Sequence, residues 1–102
     1  MLLDSNIIIY ASQPEYNELR EFIATQAPLV SAISYVEVLG YHRLTKSERT
    51  HFDTFFQAAT ILPISDAVIE QATKLRQLRK ISLGDALIAA TALKIRRGNG
   101  RP

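Results

Sequence analysis

Neither cysteine nor tryptophan occurs in this chain, and proline and glycine are held to four residues each. Without cysteine there are no disulfides and no thiolate metal sites, which sits easily with a cytoplasmic location. No window approaches the ~18 apolar residues of a membrane span, so no membrane association is expected. The N-terminus lacks a basic region and a cleavage site, and no signal peptide is visible. Internal repeats, linkers, a P-loop and a dinucleotide fingerprint are all missing. What is present is one domain of 102 residues, 47% apolar, long enough to bury a real core.

Charge is short on one side of the chain. The net value is only +2, but residues 1–70 carry four basic and nine acidic side chains, whereas residues 71–102 carry eight basic and one acidic. The second part, at +7, can attract phosphate backbones. Equally, Lys74, Arg76, Arg79 and Lys80 can be the solvated face of one helix.

Apolar runs closed by polar turns place strands at about 1–4, 29–31 and 60–64. Helical spacing fills the intervals. Ser12 and Glu15 match a capping box with Pro14 in the first turn, and Leu19, Phe22 and Ile23 recur on one face. Residues 31–43 read as a largely buried helix. Thr45 and Glu48 make a second capping box before Phe52, Phe55, Phe56 and Ala59. Helix 66–80 shows Val68, Ala72, Leu75 and Leu78 on one face, and the helix after Ser82 is apolar nearly all round. The alternation predicts an α/β fold, a parallel sheet covered by helices. His42 and His51 read as exposed surface residues.

Three acids stand alone in three of the most apolar stretches: Asp4 in MLLDSNIIIY, Glu37 in ISYVEVLGY and Asp85 in SLGDALIAATAL. Each has a plain explanation. Ser34 with Glu37 and Ser82 with Asp85 match capping boxes, and Asp4 can cap the helix that follows it. Taken together they suggest more, because a buried carboxylate is costly unless paired or metal-bound. Asp4 ends a strand, where the functional crevice of such sheets lies. Clustered carboxylates without Cys or a matching His suit a hard cation such as Mg²⁺ or Mn²⁺. Two acids also serve glycoside hydrolysis, but the chain has no Trp and little room for a sugar cleft.

In order and spacing, LLDSN, SYVEVLGY and SLGDALIAATAL resemble the PIN-domain ribonucleases, in particular the VapC-like toxins of bacterial toxin–antitoxin pairs. The resemblance covers about residues 1–95, leaving 96–102 as a disordered basic tail. It implies a PIN-like, three-layer α/β fold and a Mg²⁺- or Mn²⁺-dependent endoribonuclease, with Asp4, Glu37 and Asp85 as catalytic metal ligands. It also implies an RNA substrate, a cognate antitoxin and frequent homodimers. The family usually continues past the DALIAATAL helix with another strand and a T-R-N-x-x-D-F-like segment. Here KIRRGNGRP follows instead. The expectation is therefore a sheet lacking its final strand or strands, with Met1–Asp4 at an edge that invites pairing with another chain. Two functions compete: a metal-dependent RNA-cleaving toxin, and a degenerate PIN domain that binds antitoxin or RNA without cleaving.

Overall fold

The opening apolar run stops at Asp4, and the first strand stops with it. The computed structural model describes residues 2–97; Met1 and residues 98–102, most of the expected tail, lie outside the described residues. Strand β1 is Leu2–Leu3, followed by helix α1 at Ser5–Ala11 and α2 at Asn17–Thr25. Strand β2 is Leu29–Ser31, then come α3 at Ala32–Leu39 and α4 at Lys46–Ala58. Strand β3 is Thr60–Leu62, followed by α5 at Asp66–Leu78 and α6 at Leu83–Arg96. Arg96, which opens the expected tail, is thus still helical.

The strands form one parallel sheet in the order β1-β2-β3, so β1 is an edge among the described strands. Leu2 pairs with Leu29 and Leu3 with Val30; Leu29, Val30 and Ser31 pair with Thr60, Ile61 and Leu62. Parallel neighbours need long crossovers, which the helix pairs α1–α2 and α3–α4 supply. Leu3 and Val30 share a sheet face and join Ile8, Ala11, Ile23, Val38, Phe52 and Phe56 in one core cluster. Side chains alternate along a strand, so the fully buried Ser31 points away from Val30. On that side α6 packs against β2 and, with α5, forms a second cluster of Val68, Ala72, Ala86, Leu87 and Ala90. The result is helices on both faces of a small sheet, an α/β fold as expected.

Several local expectations fail for physical reasons. Ser12 does not open α2: it ends α1, its Oγ donating to the Ile9 carbonyl, and Pro14–Tyr16 form a separate 3₁₀ turn. Phe22 is exposed while Ile23 is buried, because only one side of α2 meets the core. Helix α3 ends at Leu39, capped by Gly40, rather than reaching residue 43. It buries only Ser34 and Val38, leaving Tyr35 and Val36 outside. Leu78 is 80% exposed at the end of α5. Helix α6 buries one face alone, with Leu83 exposed. His51 is half-buried, edge-on to Phe52.

Candidate active site

Asp4 follows the last residue of β1 and takes extended backbone angles, φ −90° and ψ 169°. Its Oδ1 accepts from the Ile7 N–H at 2.8 Å, so it caps α1. The next residue, Ser5, donates its Oγ to Glu37 Oε1 at 2.7 Å. This links the first acidic motif to the second across 32 positions of sequence. The third motif arrives from α6. A β-carbon placed on Gly84 would stand 2.5 Å from Glu37 Oε2, so the Glu37 carboxylate lies against the backbone beside Asp85. Ser82 caps α6, its Oγ accepting from the Asp85 N–H at 3.1 Å. That bond uses the Asp85 backbone and leaves its carboxylate to other work.

The Ser34–Glu37 capping box does not form. Ser31 is the N-cap of α3, and Ser34 is buried within the helix with an unpaired hydroxyl. Glu37 is therefore no cap residue. All three acids are exposed, against the expectation of buried carboxylates. Their apolar neighbours explain the misreading: Val36 is 61% and Leu83 57% exposed, so an apolar run here is not a buried run.

The first turn of α6 carries Asp85 and meets the Glu37 carboxylate. A helix N-terminus bears partial positive charge and stabilises anions by ~0.3–1 kcal/mol at a surface. The Ser5 hydroxyl adds a hydrogen bond to a charged acceptor, which opposes the side-chain entropy lost in holding Glu37.

Among the described residues no three acidic or His side chains form a group able to hold an ion. The donor set still fits a hard cation in kind, since Asp4, Glu37 and Asp85 offer only carboxylate oxygen. Mg²⁺ in particular keeps several waters and is commonly bound by one or two carboxylates plus substrate phosphate, not by an all-protein cage. The apolar cavity of about 350 Å³ between α1, α2 and α4 is lined by Leu3, Ile8, Ile23, Phe52 and Phe55, and none of the three acids borders it.

The sequence matches the PIN domain family over residues 1–97. The chain belongs to that family. PIN domains are generally nucleases. This PIN domain is similar to a solved toxin–antitoxin complex from Klebsiella pneumoniae, with 27% identity and a TM-score of 0.72 over 93% of this chain and 79% of that one. Among curated proteins none matches. Reading acids alone missed Ser5 and Gly84. A glycine inside the first turn of a helix, where its extra backbone freedom is lost without a turn to justify it, was the available signal for the second.

Proposed function

We propose that this PIN domain is a metal-dependent endoribonuclease and the toxin of a toxin–antitoxin pair. It hydrolyses RNA phosphodiester bonds at Asp4, Glu37 and Asp85 with Mg²⁺ or Mn²⁺. The observation that carries the reading is the convergence of three separate motifs on one carboxylate: Ser5, beside Asp4, bonds Glu37, and Gly84, beside Asp85, abuts it. When bound, the ion supplies Lewis-acid stabilisation of charge on the phosphoryl group. Asp4 and Asp85 supply further oxygens, and their exposure leaves the edge open to a polymeric substrate.

The likeness to the Klebsiella complex supports an antitoxin partner. Exposed Ile7, Ile9 and Tyr10 on α1, with Tyr35 and Val36 on α3, support protein partners, including a second copy. The competing reading, a PIN domain that binds without cleaving, draws on the missing three-carboxylate group among the described residues. Cleavage of RNA in Mg²⁺ or Mn²⁺, run beside Asp4→Asn, separates the two. Loss of activity in the variant supports the nuclease; an inert wild-type chain supports the binder.

A further inference from the structure

Gly84 is an odd occupant of its position. It is the second residue of α6, although glycine loses more backbone freedom on folding than any other residue, and its φ lies outside the left-handed region. The backbone therefore has no need of glycine there. What fills the place of a β-carbon is Glu37: the nearest atoms are Oε2 at 2.5 Å, Cδ at 3.2 Å and Oε1 at 3.5 Å. From the other side, Ser5 Oγ donates to Oε1 at 2.7 Å. Among the described residues Glu37 makes no other hydrogen bond and no ion pair. An exposed glutamate on a surface helix otherwise samples many rotamers.

We infer that Ser5 and Gly84 are positioning residues, which clamp the Glu37 carboxylate where the three acidic motifs meet. Ser5 fixes one oxygen by a hydrogen bond, and Gly84 leaves the room for the other. The inference deepens the nuclease reading and rests on it. It also explains why the residue after Asp4 carries a hydroxyl and the residue before Asp85 carries no side chain. Neither touches substrate; each acts through Glu37.

Gly84→Ala puts a methyl group where Oε2 stands. The cheapest relief is for the carboxylate to swing into solvent, because alanine itself suits the helix. Mn²⁺ binding to the full chain, read from the paramagnetic signal of the free ion, tests this beside RNA cleavage. Gly84→Ala should weaken Mn²⁺ affinity and cleavage by about 10–100-fold, with the unfolding midpoint unchanged or raised. Ser5→Ala should weaken both less, and Ser5→Thr, which keeps the hydroxyl, should restore them. In a Glu37→Gln background Gly84→Ala should cost no further Mn²⁺ affinity, since both changes act on one group.

Equal Mn²⁺ affinity in the wild type and Gly84→Ala overturns the clamp and leaves the nuclease reading standing. So does a Gly84→Ala penalty that persists without Glu37. Should Gly84→Ala fail to fold, the Ser5 pair decides: Ser5→Ala binding Mn²⁺ as the wild type does overturns the clamp. A wild-type chain that neither binds Mn²⁺ nor cleaves RNA overturns the metal reading, and the clamp with it.

Discussion

Asp4 caps α1 through Oδ1 while its second carboxylate oxygen lies outside that bond. The two roles can be separated by substitution. Asparagine is as good an N-cap as aspartate, whereas alanine loses about 1 kcal/mol at such a position. Asp4→Asn should therefore leave urea-induced unfolding within ~0.5 kcal/mol of wild type, and Asp4→Ala should lower it by about 1 kcal/mol. An equal loss in both variants would mean that the charge, not the cap, supports the fold. At this scale the three acids were legible because each interrupts an apolar run. Their exposure was not, since it depends on what packs against Val36 and Leu83, which stay mostly in the open.

Among the elements, α4 was the most legible. Its Thr45–Glu48 box forms in both directions, Glu48 N–H donating to Thr45 Oγ1 at 3.1 Å and Thr45 N–H to Glu48 Oε1 at 2.9 Å. The Thr45 backbone N–H, then its hydroxyl, hold the Glu48 carboxyl below its ordinary value. A carboxyl lowered by folding stabilises the native state fully above its unfolded value, and that contribution is lost as pH falls through the folded one. The stability advantage of wild type over Glu48→Ala should thus be complete at neutral pH and fade in acid, as followed by thermal melts. An advantage that grows in acid would contradict it.

The phenylalanine stripe behaves as its spacing predicts, with Phe52 and Phe56 buried. Phe56→Ala should cost about 3–5 kcal/mol, a large share of the stability of a domain this size. Leu78, on the face that helical spacing also predicts to be core, is exposed, and Leu78→Ala should stay within ~0.5 kcal/mol in the same measurement. The contrast shows where local pattern runs out. Periodicity and caps are written in neighbouring residues, so helices and strands emerge from them. Which side chains at a helix end find a partner is decided by segments far away in sequence. The Ser12–Glu15 pattern failed similarly, because α1 continued to Ala11 and took Ser12 for its own end.

For the whole molecule, the uneven charge is the property that bears on a polyanionic substrate. Lys74 pairs with Glu70 at 3.6 Å, both exposed, and so belongs to an ordinary solvated face. Arg76, Arg79 and Lys80 are exposed where α5 gives way to the Ser82 cap of α6. If they guide single-stranded RNA, changing all three to Ala should flatten the logarithmic salt slope of binding by about 0.7 for each phosphate no longer neutralised. An unchanged slope would leave them as solvated charges too. Whether three motifs, brought together by a small parallel sheet, cleave RNA with a divalent ion is decided by cleavage of RNA by the purified chain in Mg²⁺ or Mn²⁺, beside Asp4→Asn. The wild type should cleave only with the divalent ion, and the variant, folding as stably, should lose roughly two or more orders of magnitude of that activity. Equal cleavage by the two proteins, or cleavage indifferent to the metal, would contradict it.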